Sequence, residues 1–356
     1  MNTKRYLRQT ILKEFGSNGQ QKLARSSVLV VGAGGLGLPA LQYLNAMGVG
    51  TLGIVEQDII DFTNLQRQVL YDENDVGKPK LTVCSEKLRA QNPDTKIIGH
   101  DTFLVKDNAL EILSAYDLVI DATDNFPTRY LINDACIILK KPFVYGALHG
   151  FEAQLSVFNY KGGPTYRCLF PKMPSEEEIP NCDEHGVLGV VPGIIGNLQA
   201  LEAIKMISGI GEVMSGKLLI YNGLDSTIVK INFPLTPENL DISTLRENYG
   251  LQYCEDGLQI AAMEFQKLFQ SHQELQILDV RTKKEYKSDH LEGALNIPLL
   301  ELENRLDEID CDTDVYLLCQ TGNRSLKAQA LLQEVLPKCT TFNVDGGMDQ
   351  YSLIYS

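Results

Sequence analysis

The chain has 356 residues, which is enough for two domains, and 44% of them are apolar, as in globular proteins. Its formal net charge of −14 argues against a nucleic acid as the main partner, because an acidic surface repels a polyanion. The sequence has no apolar run of transmembrane length and no apolar signal core at its start, so we expect a cytoplasmic protein without membrane contact. The eight cysteines lack the pattern of a small secreted domain, which predicts cytosolic thiols.

A strand–turn–helix–strand unit near the start of the chain predicts a nucleotide site. The apolar run Val28–Val31 leads into a glycine cluster, a helical pattern follows, and a second apolar run, Thr51–Val55, ends at Glu56. Glycine lets the backbone approach a phosphate, the helix N-terminus offers free N–H groups, and the acid accepts ribose hydroxyls. The alternative is a tight packing turn without a ligand. The glycines of the turn are Gly32, Gly34, Gly35 and Gly37.

Charged residues further along the chain can complete this site. Arg67 and Lys80 follow the second strand and can fold back over the glycine turn. Another apolar run, 117–121, is followed by Asp124 and Asn125. An acid just past the carboxyl end of a parallel strand points into the ligand crevice, where it can hold Mg²⁺ on nucleotide phosphates. The other elements predicted here are a helix over 80–90, a strand over 96–100 and a helix around 108–113.

Five motifs in order and spacing resemble the MoeB/ThiF family of adenylyltransferases. They are R-Y-x-R-Q, G-x-G-G-L-G, N-L-x-R-Q, G-K-P-K and D-A-T-D-N, and the resemblance covers about residues 1–235. It implies a Rossmann-like α/β domain that binds ATP, with Glu56 on the ribose and Asp124 on Mg²⁺. It also implies that the C-terminal Gly-Gly carboxylate of a ubiquitin-like sulfur carrier receives the AMP. The residues it places at the phosphates or beside the nucleotide are Asn64, Arg67, Lys80 and Asn125.

The same resemblance changes the interpretation of Arg8. By itself, the N-terminal basic pair is more typical of a solvated terminus than of a phosphate site. The family arginine at this position crosses a dimer interface to the partner's ATP, so the resemblance implies a homodimer in which Arg8 acts on the partner's nucleotide.

Two cysteines were weighed against the family pattern. Many relatives hold a structural zinc with two C-x-x-C pairs, but here the first pair retains Cys168 alone and the second, near 233–237, has no cysteine. One thiol cannot form a Cys₄ site, so we predict no zinc and a bystander role for Cys168. Cys182 lies in a polar segment, 175–185, that matches the family's crossover loop, whose cysteine bonds covalently to the carrier. Its acidic neighbours oppose thiolate formation, and an inert exposed cysteine is the alternative.

A second α/β domain is predicted over 256–356, after a linker at 236–255. The expected elements are a helix at 261–269, strands at 275–280, 314–318 and 341–344, and a helix at 326–334. Cys319 follows a strand and precedes a helix N-terminus, where N–H groups favour a thiolate or persulfide. With the L-D-V-R, H-L-E-G-A-L-N and D-G-G segments, this stretch resembles a rhodanese domain. The spacing from Cys319 to Arg324 is C-x₄-R, the loop length associated with sulfur transfer, and we expect Arg324 to lower the pKa of Cys319.

The two halves together predict one reaction sequence. The first activates a carboxylate with ATP and Mg²⁺, and the second brings sulfur as a Cys319 persulfide, supplied by a donor such as a cysteine desulfurase. The product is a thiocarboxylate on the carrier, in molybdopterin, thiamine or another thiolation pathway. The alternatives are a dinucleotide-dependent oxidoreductase on the same glycine turn, or an adenylyltransferase whose rhodanese domain only docks partners.

Overall fold

A computed structural model describes residues 4–174, 186–246, 249, 258–271, 275–320 and 322–355 of the chain. Two compact units are present, Met1–Tyr249 and Gly250–Ser356. Cys182 and the rest of the predicted crossover segment lie outside the described residues.

The described part of the first unit contains a single eight-stranded sheet. Its strand order is β3-β2-β1-β4-β5-β6-β7-β8, parallel from β3 to β5 and antiparallel from there to β8. The parallel strands β1, β2 and β4 are apolar runs buried on both faces, as expected under helices on each side. The strands are β1 Ser27–Val31, β2 Thr51–Val55, β3 Lys96–His100, β4 Leu118–Asp121, β5 Phe143–His149, β6 Glu152–Phe158, β7 Lys217–Asn222 and β8 Thr227–Asn232.

Helices cover the sheet and connect its strands. They are α1 Leu7–Thr10, α2 Gly16–Arg25, α3 Gly37–Ala46, α4 Lys80–Gln91, α5 Lys106–Ser114, α6 Phe126–Ile138, α7 Tyr166–Leu169 and α8 Val190–Ser208. The predicted strands β1 to β4 and helices α4 and α5 are confirmed to within one or two residues. Strands β5–β8 were not predicted from the sequence.

The long helix α8 needs a correction to the sequence analysis, which found no apolar run of transmembrane length. By length and composition α8 could cross a membrane, but half of its apolar window is buried inside the protein. It packs against α3, β5 and β6, with Ile195, Ala203 and Ile204 in the core. We therefore describe α8 as a core helix of the first unit.

The second unit is a smaller α/β layer structure. Its described strands form one parallel sheet in the order β11-β10-β12-β13-β9. The predicted helices and the strands β10, β12 and β13 are confirmed within a few residues, while β9, α10, β11 and α12 were not predicted. The elements are β9 Leu258–Ala261, α9 Ala262–Gln270, β10 Gln276–Asp279, α10 Lys283–Ser288, β11 Leu295–Asn296, β12 Val315–Leu318, α11 Asn323–Val335, β13 Thr341–Asp345 and α12 Gly347–Tyr355.

A disulfide between Cys311 and Cys339 lies in the second unit. It joins the segment before β12 to the segment after α11, and therefore clasps the 28-residue stretch that carries Cys319. The expectation that the cysteines are all thiols is wrong for this pair. Spacing in the sequence could not reveal it, because the two residues meet through the β12–α11 crossover.

The start of the predicted linker packs on the first unit. Thr236 donates its backbone N–H to the sulfur of Cys168, at 3.3 Å. The Tyr249 hydroxyl donates to the buried carboxylate of Asp134, at 2.9 Å. The last described residue of this unit is thus anchored in its core, and the prediction of a linker over 236–255 stays a proposal.

Candidate functional site

A cavity of about 350 Å³ opens at the carboxyl ends of β1, β2 and β4. This is the point where the strand order reverses, at which α/β sheets bind ligands. The structure brings most of the sequence-predicted residues together here. Those that line the cavity are Gly32, Gly34, Gly35, Glu56, Arg67, Lys80, Asp124 and Asn125.

The glycines of the turn serve two different purposes. A side chain on Gly37 would lie 1.9 Å from the carbonyl oxygen of Gly32, so Gly37 is needed for the closure of the turn itself. Gly32 has φ +99° and faces the Ala122 carbonyl. Gly34 and Gly35 line the cavity, where the backbone can approach a phosphate. Gly37 is not among the lining residues, so its predicted role in cofactor binding is indirect.

Glu56 holds the glycine turn against the end of β2. Its Oε2 accepts the Ala33 N–H at 2.8 Å, and its Oε1 accepts the Gln57 and Asp58 N–H groups at 2.9 and 2.8 Å. The carboxylate is 8% exposed and lines the cavity. Three backbone donors therefore fix the orientation of this side chain, at the position predicted from the sequence for the ribose acceptor.

The two cations of the loop after β2 reach the cavity differently. Lys80 is 6% exposed, and its Nζ lies 3.0 Å from the Asp58 carboxylate, which orients it. Arg67 is half-buried and donates to the Thr63 carbonyl at 3.0 Å. Asn64 does not line the cavity; its side chain accepts the Asp61 N–H at 3.1 Å and caps a short helix. Asp58 was missed in the sequence because it precedes Lys80 by 22 residues.

Asp124 and Asn125 lie in the turn between β4 and α6. The Asp124 side chain is exposed to the cavity. Asn125 caps α6, since its Oδ1 accepts the Thr128 N–H at 2.9 Å. Asn125 thus has a structural use besides its place at the cavity wall. Among the residues that the structure describes, no group of three or more His, Cys, Asp or Glu side chains forms a metal cluster.

Arg8 lies on the exposed face of α1 and is not among the cavity-lining residues of its own chain. Its neighbours Leu7, Ile11 and Leu12 are also exposed, at 58%, 65% and 56%. The structure of one chain therefore leaves the predicted role of Arg8 at a partner's nucleotide as a proposal.

Cys168 is half-buried and surrounded by hydrogen-bond donors. Its sulfur accepts from the Thr165 and Thr236 N–H groups, at 3.4 and 3.3 Å, and from Asn239 Nδ2 at 3.6 Å. Burial disfavours its thiolate, but the bond from the Thr165 hydroxyl and the other donors outweigh burial and lower its pKa. The two segments that hold zinc in many relatives do meet here, with a single thiol between them.

In the second unit, Cys319 is fully buried at the end of β12 and is held by its own loop. Its sulfur accepts the Gly322 N–H at 3.1 Å and lies 3.3 Å from the Ser325 hydroxyl, which donates to it. The Met348 N–H donates to the Cys319 carbonyl at 2.8 Å and ties the loop to α12. These donors suit an anionic sulfur, and Ser325 was not singled out in the sequence.

Arg324 forms a two-pronged ion pair with Glu285. The distances from its guanidinium nitrogens to the carboxylate oxygens are 2.9 and 2.6 Å. Hydrogen bonding from Arg324 lowers the pKa of Glu285 to about 2, against the opposing effect of burial. The expected effect of Arg324 on the pKa of Cys319 stays a prediction.

Comparisons with known proteins agree with both halves of this architecture. The ThiF family model matches residues 6–241, and the rhodanese-like domain model matches residues 261–353. "Adenylyltransferase and sulfurtransferase MOCS3" of Arabidopsis thaliana is 39% identical over 367 residues, covering 93% of this chain and 79% of the relative. "Probable molybdopterin-synthase adenylyltransferase" of Porphyra purpurea is 39% identical, covering 98% and 93%. "Sulfur carrier protein adenylyltransferase" of Thermus thermophilus is 50% identical over 65% of this chain and 88% of its own.

The solved structure of E. coli MccB with MccA-N7isoASN superimposes with a TM-score of 0.60 at 22% identity, covering 68% of this chain and 75% of the other. At that identity the likeness concerns the fold alone. Fold and site together define a nucleotide-binding α/β enzyme joined to a sulfurtransferase unit.

The chain belongs to the ThiF family and carries a C-terminal rhodanese-like domain. The chain has two activities: it is an adenylyltransferase, which uses ATP, and it is also a sulfurtransferase. The resemblance predicted from the motifs is confirmed, and the oxidoreductase and docking-module alternatives are not favoured.

Proposed function

We propose that this enzyme adenylates the C-terminal Gly-Gly carboxylate of a ubiquitin-like sulfur carrier and then converts it to a thiocarboxylate, in molybdopterin biosynthesis. One observation carries the proposal: the same chain contains a cavity lined by glycines, Arg67 and Lys80 that can bind phosphates, and a loop whose N–H group donates to the sulfur of Cys319. The printed names of the Thermus and Porphyra relatives support the substrate class and the pathway. We place the reaction in the cytoplasm.

In the first step, a carboxylate oxygen of the carrier attacks the α-phosphorus of ATP. A new O–P bond forms, and the bond between the α-phosphorus and the oxygen that bridges to the β-phosphate breaks. Pyrophosphate leaves with both electrons of that bond. Lys80, oriented by Asp58, and Arg67 offset the charge that develops on the phosphates. Glu56 accepts the ribose hydroxyls, and the backbone at Gly34 and Gly35 lies against the phosphates. The attacking carboxylate is already ionised, so no general base is needed.

We assign Mg²⁺ to Asp124. The residues fit this ion, because an exposed carboxylate at the cavity wall supplies the hard oxygen ligand that Mg²⁺ prefers, with nucleotide phosphates as its other ligands. When bound, the ion neutralises phosphate charge. Asn125 lies beside the nucleotide, while Asn64 acts on the phosphates only through the short helix that it caps.

In the second step, sulfur replaces AMP. The Cys319 thiolate takes the outer sulfur of a protein persulfide donor, such as a cysteine desulfurase, and the donor leaves as a thiolate. Cys182 attacks the acyl-adenylate carbon, which releases AMP and leaves a thioester. The outer sulfur of the Cys319 persulfide then attacks the thioester carbon and Cys182 leaves. A thiol reductant finally cleaves the resulting acyl disulfide, which yields the thiocarboxylate and a mixed disulfide on the enzyme.

We further propose a homodimer in which Arg8 acts on the partner's nucleotide. Two observations support this arrangement: Arg8 is not among the residues that line its own cavity, and Leu7, Ile11 and Leu12 near it are exposed. Mixing an Arg8→Ala chain with an Asp124→Ala chain should restore part of the ATP/pyrophosphate exchange, because one hybrid site is intact. Heterodimers that form without any rescue would contradict the role in trans.

Carrier-dependent exchange of pyrophosphate into ATP tests the first step directly. We expect exchange with a Gly-Gly carrier and none with a carrier that lacks its last glycine. Exchange that ignored this truncation would contradict the proposed substrate. Metal analysis of the purified protein tests the prediction that it holds no zinc; about one zinc per chain would overturn it.

A further inference from the structure

The turn that contains Asp124 is stabilised by a buried acid at the end of the preceding strand. Asp121 ends β4 and is fully buried. Its Oδ1 accepts the Thr123 N–H at 3.1 Å and the Thr123 hydroxyl at 2.6 Å, and its carbonyl accepts Gln199 Nε2 at 2.6 Å. These three bonds fix the backbone just before Asp124.

A buried arginine holds the same turn from the other side. Arg129 lies in the first part of α6, is 7% exposed, and donates from Nη2 to the Thr123 carbonyl at 3.1 Å. The centre of its guanidinium lies 5.3 Å from the Phe126 ring and 5.6 Å from the Tyr145 ring. Contact with two rings restricts a planar cation to one plane, as in cation–π pairs.

Asp124 is the exposed acid of this turn, whereas Asp121 and Arg129 are buried and stabilise its backbone. Within the described residues, Asp121 Oδ2 and Arg129 Nε are buried without a hydrogen-bond partner. Burial raises the pKa of the Asp121 carboxyl, and the charge of Arg129 opposes that rise. Neither atom is accessible to a ligand. Asn125 uses its side-chain oxygen on α6, and the Asp124 carboxylate is the acid of this turn that faces the cavity.

We propose that Asp121 and Arg129 are positioning residues for the adenylation reaction, and that they act by holding the Asp124 carboxylate where it meets the metal-bound phosphates. This inference rests on the proposed role of Asp124. Arg129 also forms part of the cavity wall. Loss of either residue would let the 121–125 turn relax, and the affinity for the magnesium complex of the nucleotide would fall.

A double-mutant cycle on nucleotide affinity tests this proposal. Calorimetry would measure the binding of a non-hydrolysable ATP analogue, with Mg²⁺, to full-length wild type, Arg129→Gln, Asp124→Asn and the double variant. We expect Arg129→Gln to weaken binding about 10-fold, and the double variant to bind no more than about 2-fold worse than Asp124→Asn alone. With a chelator in place of Mg²⁺, Arg129→Gln and wild type should bind equally. If the fold-losses in affinity of the two single variants multiply in the double variant, the proposal is overturned.

The chain contains a matched control. Arg167 is also buried, pairs with the buried Asp134 through two contacts of 2.8 Å, and lies 4.7 Å from the Tyr130 ring, yet none of the three lines the cavity. Arg167→Gln should lower the melting temperature but keep the analogue's affinity within about 2-fold of wild type. Equal behaviour of Arg129→Gln and Arg167→Gln in both measurements would overturn the proposal.

The other outcomes separate the two claims. If Asp124→Asn leaves affinity unchanged, the proposed role of Asp124 fails and the positioning role fails with it. If Asp124→Asn weakens binding and Arg129→Gln does not, only the positioning role fails. Should Arg129→Gln fail to fold, Arg129→Lys replaces it in the same cycle, because lysine keeps the charge and loses the planar contact with the two rings.

Discussion

The nucleotide cavity of the first unit is lined by residues from chain positions as far apart as Gly32 and Pro192, whereas the Cys319 sulfur is held by Gly322 and Ser325. Parallel strands explain the first case, because their carboxyl ends bring distant segments to one edge of the sheet. A strand–loop–helix turn explains the second, because its N–H groups converge on the residue at the strand end. In a site assembled from distant segments, buried residues such as Asp121 and Arg129 are needed to fix the functional side chains. In the Cys319 loop, the loop's own residues provide most of the hydrogen bonds that fix the sulfur.

The largest expected effect tests whether the two sites are chemically separate. Asp124→Asn should lower carrier-dependent ATP/pyrophosphate exchange by at least about 100-fold, because it removes the charge that we propose holds Mg²⁺ on the phosphates. The same variant should keep the sulfurtransferase activity of the second unit, measured with cyanide as acceptor. Near-normal exchange would contradict the metal role, and loss of both activities would contradict the separation of the sites.

The disulfide of the second unit gives the next effect. Opening the Cys311–Cys339 bond frees a 28-residue loop in the unfolded chain, which should cost about 3–4 kcal/mol. For a unit of this size, we expect the melting transition to fall on the order of 10–20 °C in a Cys311→Ser variant. Calorimetry of the full chain should show the transition of the first unit unmoved. An unshifted second transition would show that the bond does not stabilise the unit.

The sequence predicted some residues of each site but not others. The strand-end rule identified Asp124, and the motifs identified Arg67 and Lys80, because strand order and spacing follow from hydrophobic patterns. Sequence reasoning could not find Asp58 or Arg129, whose roles depend on which side chains meet after packing. In the second unit, Cys319 was evident from its own loop. Glu285 lies 39 residues from Arg324, so their ion pair could not be deduced from spacing.

A smaller effect tests how local the Cys319 site is. Ser325→Ala removes the hydroxyl that donates to the sulfur, which should slow sulfur transfer about 3- to 10-fold with exchange unchanged. Ser325→Thr keeps a hydroxyl and serves as the control. If Ser325→Thr slowed sulfur transfer as much as Ser325→Ala, Ser325 would act through packing and not through its hydroxyl.

The smallest effect concerns the one long-range ion pair described at this loop. Glu285→Gln should destabilise the second unit by about 1 kcal/mol at neutral pH, since the pair is partly exposed. Because Arg324 depresses the pKa of Glu285 to about 2, the stabilisation is present above the ordinary pKa of about 4.5 and is lost as pH falls towards 2. Wild type and variant should therefore converge in stability at the acid end. A constant difference across this range would contradict the electrostatic account.

Mass spectrometry of the carrier tests the central claim that one chain both activates the carboxylate and supplies the sulfur. The carrier is incubated with ATP, Mg²⁺, a protein persulfide donor, a thiol reductant and either wild type, Cys319→Ala or Cys182→Ser enzyme. Wild type should give the mass shift for replacement of oxygen by sulfur, and Cys182→Ser should give it more slowly. Cys319→Ala should give only unchanged carrier, adenylated carrier or carrier joined to Cys182 as a thioester. Wild-type amounts of the sulfur product from Cys319→Ala would show that the second unit is not the sulfur source.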